Sequence, residues 1–301
     1  MSSTDGTGPG AAQAGPGRRR FLLSAAGSAA VIAAGGEVIV RLTRDAAAAP
    51  AAVGGRAMEA SHPGSPAAIA TTPPAGGGPL AGKVVVIDPG HNPHNPEHVA
   101  EIDALVNAGG FLKACDTVGA ETDAGYPEFD FTLDVARRAR VILRAAGAKV
   151  ILTQNGRTAY GPCVTQRAAI GNRAGADAAI SIHADGGPPD GYGFAVLVPV
   201  LVQNPSADNS MIIEPSRYLA DALLTHFAAV TGQARSTYLG SGGIQPRSDL
   251  GGLNCSTVPK VFIECANMRN AADAAKVTDE HWRQAAARGI AQSIAAFITT
   301  R

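Results

Sequence analysis

Apolar positions along this chain follow two rhythms, and both begin only near residue 83. Continuous β-branched runs at 83–88 (KVVVID), 149–153 (KVILT), 178–183 (AAISIH) and 260–264 (KVFIE) predict buried strands, and 193–200 predicts another. Between these runs the apolar residues return at helical spacing. Leu133, Ala136, Ile142, Leu143 and Ala146 mark a helix over 130–146 that stops at Gly147. Further helices are predicted over 165–174, over 215–231 with a stop at Gly232, and over 279–299. Strands alternating with helices predict one α/β domain, a twisted and mostly parallel sheet of about six strands with helices on both faces. In such sheets functional groups gather at the carboxyl ends of the strands.

The chain before residue 83 has a different character. Its first eighty residues are dominated by Ala, Gly, Pro, Ser and Thr, too poor in large apolar groups to offset the entropy of ordering. Arg18-Arg19-Arg20-Phe21-Leu22-Leu23 opens an apolar stretch to Gly36. That stretch is shorter than the roughly 20 residues a spanning helix needs. A basic start followed by a short Ala-rich run predicts a twin-arginine-like export signal over 1–49. A flexible linker over 50–80 and a catalytic domain over 81–301 follow.

The 25 basic and 25 acidic residues balance. Without residues 1–49 the counts are 20 and 22, a net of −2. That balance excludes the electrostatic footprint of a nucleic-acid or membrane-surface binder, and a monomer is expected.

Three predicted strands end in titratable groups. The first runs into Asp88-Pro89-Gly90-His91, the third into Ser181-Ile182-His183-Ala184-Asp185, and the last into Glu264. Two neutral imidazoles and a carboxylate on one sheet edge suit a catalytic zinc site. Such a site leaves a position open for a water whose pKa the metal lowers toward about 7. A second carboxylate off the metal can move protons. Taken singly, each residue has a plainer reading: a hydrogen-bonded strand-end histidine, a turn-forming Asp88 or a solvated Glu264. Asp88 could equally support a ligand imidazole from behind.

VVVIDPGH, SIHADGG and VFIECANMRN, in that order, resemble the motifs of the zinc-dependent N-acetylmuramoyl-L-alanine amidases, in their compact actinobacterial form without a wall-binding domain. The resemblance covers nearly all of residues 83–299. It implies cleavage of the amide bond between N-acetylmuramic acid and L-alanine of the stem peptide, outside the cytoplasm, in peptidoglycan or muropeptide fragments. It also implies one zinc per chain, a zinc-activated water and a glutamate general base.

The family's ligands map onto His91, His183 and a glutamate upstream of the next helix. Glu97, Glu101, Glu121 and Glu128 are candidates, and Glu128 in GYPEFDFTLDVA stands where the family ligand does, just before a helical pattern. The positive end of that helix favours its ionised form. Glu264 matches the catalytic glutamate.

By resemblance, Arg247 meets a stem-peptide carboxylate, although an ion pair with Asp249 is the alternative. Asn267 either binds substrate or caps structure. His94 and His98 depart from the family pattern, and Pro93 and Pro96 put them in an extended loop where they are expected to face solvent. The resemblance pairs Cys115 with Cys163. Cys265 is expected as a buried free thiol, with a Cys255–Cys265 bridge as the alternative. Two other functions remain open here: a binding or regulatory protein that kept the fold without the chemistry, and a zinc hydrolase of another amide.

Overall fold

The structure, a computed structural model, describes residues 77–301. The expected export signal over 1–49 and nearly all of the expected linker lie outside the described residues. The linker's last residue belongs to the fold: Leu80 is fully buried, and its amide donates to Ala146 O at 2.9 Å.

Six strands form the sheet: β1 (Val84–Pro89), β2 (Lys149–Leu152), β3 (Ala178–Asp185), β4 (Ala195–Pro199), β5 (Ile244–Arg247) and β6 (Lys260–Asn267). Their order is β2-β1-β3-β6-β4-β5. The first four in that order run parallel, β4 is antiparallel to β6, and β5 runs parallel to β4. The expected mostly parallel α/β architecture is therefore present.

Side chains alternate across a strand, so each strand writes two faces. In β3, Ala178, Ile180, Ile182 and Ala184 enter the main core together with Val85 and Ile87 of β1 and Val261 and Ile263 of β6. The intervening residues Asp88, Ser181, His183, Lys260, Phe262 and Glu264 stand on the opposite face. A polar face of this kind suits function more than packing.

Three helices cover the apolar face: α1 (Glu128–Ala145), α3 (Ile213–Thr231) and α5 (Glu280–Thr299). In α1, Phe131, Val135, Ala139 and Leu143 recur every four residues and are all buried. Truncating Leu143 to Ala would cost about 2–5 kcal/mol. On the other face α2 (Val164–Ala174) and the short helix Gly251–Asn254 cover smaller apolar clusters. Helix α4 (Ala271–Thr278) precedes α5, and Asn270 caps it by accepting from the amides of Ala272 and Asp273.

Registry sets the site. Asp88 lies beside Ser181 across the β1/β3 pair, and His183 lies beside Glu264 across β3/β6. The three strands that end in titratable groups are thus consecutive neighbours.

Candidate metal centre and cleft

His91 follows β1 with a positive φ of 62°, a strained conformation for a residue with a Cβ. Buried side chains hold it there. Its carbonyl accepts from Gln154 Nε2 at 2.9 Å and from Arg167 Nη2 at 2.9 Å. Its Nδ1 lies 3.0 Å from Thr117 O, an acceptor only, so Nδ1 carries a proton and Nε2 is the nitrogen turned toward Glu128.

Glu128 is the first residue of α1, one step inside the helix. Its Oε2 accepts from the Ala120 amide at 2.8 Å and its Oε1 from the Ala184 amide at 3.1 Å. Oε2 also lies 3.0 Å from His91 Nε2, and Oε1 lies 2.9 Å from His183 Nδ1. Burial alone would push this carboxyl up, but the two imidazoles outweigh it and hold Glu128 well below the usual carboxylate range.

His183 stacks on Phe262 with ring centroids 5.2 Å apart, and its other side rests on Gly90. A Cβ at Gly90 would sit 2.3 Å from His183 Cε1, so only glycine admits the ring here. Gly119, at φ +90°, is likewise pressed against His91, where a Cβ would come within 2.8 Å of Cδ2.

One donor atom each from His91, Glu128 and His183 lies within 4.8 Å of the others, and these three could hold a metal ion. Two imidazoles and a carboxylate form a donor set that suits zinc and leaves an open position. The cluster floors a cavity of about 370 Å³ that Glu264, Asp185, Arg247 and Lys113 also line. Glu264 Oε2 is shut off from solvent and finds no hydrogen-bond partner among the described residues. In the metal-free site burial, reinforced by the nearby charges of Glu128 and Asp185, pushes its carboxyl well above the usual range, with Arg247 opposing.

The sequence matches the Amidase_3 family, N-acetylmuramoyl-L-alanine amidase, over residues 85–296. It is 38% identical over 225 residues to the N-acetylmuramoyl-L-alanine amidase Rv3717 of Mycobacterium tuberculosis, covering 74% of this chain and 89% of that protein. The fold superposes on the N-acetylmuramyl-L-alanine amidase Ami1 of Mycobacterium smegmatis with a TM-score of 0.68 and 40% identity, covering 74% of this chain and 99% of that one. The apo form of Ami1 from Mycobacterium abscessus gives 0.66 and 39%, covering 72% and 99%. The chain belongs to the N-acetylmuramoyl-L-alanine amidase family. It is accordingly a hydrolase, and its substrate is peptidoglycan.

Within the amidase cleft some expected residues take other roles. Asn267 is fully buried, which suits the structural one of its two expected roles. Its Nδ2 donates to Pro188 O and Gly191 O, and its Oδ1 accepts from the amides of Gly187 and Arg269. With both ends occupied by backbone, it shapes the loop after β3. Arg247 lines the cleft while pairing with Asp249 at 2.6 and 2.7 Å, so the ion pair and a place at the cleft coexist.

His94 and His98 are both half-buried, and His98 packs on Tyr160 and binds Glu101 at 3.1 Å. Neither belongs to the metal cluster. Of the rival glutamates only Glu128 reaches it. Cys115 and Cys163 form a disulfide, while Cys255 and the buried Cys265 are free.

Sequence reasoning left Arg167, Lys260, Asp116 and Thr117 unassigned. A buried lysine inside an apolar strand run, KVFIE, was the available signal for one of them, since lysine is almost never fully buried unless paired.

Proposed function

We propose that this protein cleaves the amide bond between the lactyl group of N-acetylmuramic acid and L-alanine, with one zinc ion held by His91, Glu128 and His183 and with Glu264 as general base. The observation that carries the reading is the unpartnered, solvent-shielded Oε2 of Glu264 in the same cleft as a complete three-donor cluster. A carboxylate kept without partners is ready to take a proton from a water entering the cleft. As the C–N bond breaks, Glu264 would return that proton to the departing alanine nitrogen, leaving a free amine on the peptide and a carboxylic acid on the sugar. Bound in this cluster, zinc would polarise the scissile carbonyl and offset the charge developing on its oxygen.

Arg247 and Lys113 place positive charge on the cleft wall, above a floor of carboxylates. They suit the carboxylates of a stem peptide, and Arg247 is the residue we assign to that contact. The twin-arginine-like segment supports export, and the disulfide is consistent with an oxidising compartment. We take the working protein to be a monomer that binds no nucleic acid.

Glu264→Gln keeps the side chain's shape and removes its basicity. The variant should bind zinc as the wild type does and cleave muropeptide about 10²–10⁴-fold more slowly. Loss of zinc along with activity would make Glu264 a ligand, and near-normal cleavage would remove it from the reaction.

A further inference from the structure

Residues 89–91 form the turn that carries His91 out of β1, and each carbonyl of that turn is held by a side chain. Thr132 Oγ1, one helical turn beyond Glu128 on α1, donates to Gly90 O at 2.8 Å. Arg167 Nη1 donates to Pro89 O at 2.6 Å, and its Nη2 donates to His91 O at 2.9 Å. Gln154 Nε2 is a second donor to His91 O. The Gly90 amide pairs with the neighbouring strand, donating to Ile182 O at 2.9 Å.

Arg167 stands in the first turn of α2, four residues beyond Cys163, and is 4% exposed. Beyond the two carbonyls, Nη1 donates to Asp88 Oδ1 at 3.0 Å, Nη2 to Asp116 Oδ2 at 2.8 Å, and Nε to Pro162 O at 2.8 Å. All five N–H groups of the guanidinium are therefore in use. Its charge, with that of Lys260 at 3.0 Å from Asp88 Oδ2, balances the buried Asp88 and Asp116. We infer that Arg167 is a positioning residue of the metal centre, whose planar fork grips the turn on both sides of Gly90 and locks His91 in its left-handed backbone. The inference rests on the metal site proposed above.

Charge balance alone would not call for arginine. A lysine ammonium supplies the same charge as a point on a flexible stem, and cannot hold Pro89 O and His91 O in one rigid plane. Tying those two carbonyls together fixes the curvature of the turn, and with it the φ of 62° at His91. A residue with a Cβ that is released from such a φ relaxes toward negative values. That change would redirect the Cα–Cβ bond of His91 and carry its ring away from Glu128 and His183. Arg167 bonds to His91 at the carbonyl and not at the ring, so its effect on a metal passes through the backbone. The same guanidinium reaches Asp116, next to Cys115, and so joins the turn to the segment that the disulfide pins.

The test uses zinc alone as the probe, with affinity read by competition against a chelator. A second reading is taken on the metal-free protein by NMR: the strong Overhauser effect between the amide proton and Hα of His91 that a positive φ produces. Wild type should show it. Arg167→Lys keeps the buried charge balance and removes the fork. It should weaken zinc binding about 10–100-fold and abolish the strong effect at His91. Should that variant fail to fold, Arg167→Gln combined with Asp116→Asn removes one charge of each sign and should give the same two changes.

A variant that melts at a lower temperature while keeping wild-type zinc affinity and the His91 signal would make Arg167 merely structural and overturn the inference. Weak zinc binding with the His91 signal intact would overturn the backbone route as well. The backbone is read without metal, so a wild type that bound no zinc would defeat the proposed metal site while the hold of Arg167 on His91 was still tested.

Discussion

Replacing both Cys115 and Cys163 with alanine should weaken the fold and the metal site together. The disulfide joins positions 48 residues apart. On the chain-entropy model, opening a loop of that length removes about 4 kcal/mol of stability. At about 2–4 °C per kcal/mol for a domain of this size, the melting temperature should fall by roughly 8–16 °C. The segment the bond pins is the one that orients His91: Asp116 binds Arg167, and Thr117 O accepts from His91 Nδ1 at 3.0 Å. The Val164 amide also donates to Cys115 O at 2.7 Å, tying that segment to the start of α2. Loosening it should therefore weaken zinc binding as well, by about 10–100-fold, the usual effect of losing support behind a ligand imidazole. Calorimetric scans with and without zinc, and chelator competition on both proteins, read the two effects. A melting temperature within two or three degrees of wild type, together with unchanged zinc affinity, would refute the reasoning on both counts.

Other expectations concern single residues around the ligands. Gly90→Ala should drive His183 out of its seat, since the new Cβ would meet the ring at 2.3 Å. A loss of stability of about 1–3 kcal/mol together with weakened zinc binding is expected, and a variant that binds zinc normally would show that the ring can move without penalty. Glu264→Gln should stabilise the metal-free protein at pH 7, even as it disables turnover. The folded-state pKa of Glu264 lies above its unfolded value, so its penalty is absent below about pH 4 and grows as pH rises toward the folded value. Melting curves in chelator at pH 4 and pH 7 should converge at the lower pH, and equal melting temperatures at both would contradict the sign.

Much of this architecture was legible in the sequence because the strands that carry chemistry are apolar runs ending abruptly in polar residues. KVVVID, AAISIH and KVFIE correspond to β1, β3 and β6, and their order in the sheet brings His91, His183 and Glu264 to one edge. Strand β5 was not legible, since four residues containing Pro246 carry no periodic signal. Nor does periodicity give direction. Antiparallel β4 follows β3 after nine helix-free residues (186–194), too few for the crossover a parallel return requires, and that spacing was the available clue.

Glu128 could be chosen among four glutamates only through resemblance, because its partners arrive from β1 and β3 and not from its own neighbourhood. Asn267 kept two readings for the converse reason. Its motif lies beside Glu264, but the strand continues through it and buries it against the loop at 187–191. The pairing of Lys260 with Asp88, 172 residues away, has no local signature at all.

The most direct test of the account is to digest a defined muropeptide with the purified protein and identify both products by mass, before and after chelation and again after zinc is restored. The account predicts a stem peptide with a free L-alanine amine and a sugar with an intact lactyl carboxylate, appearing only when zinc is present. Cleavage inside the peptide or between sugars, or the same products at full rate in the chelated protein, would contradict it.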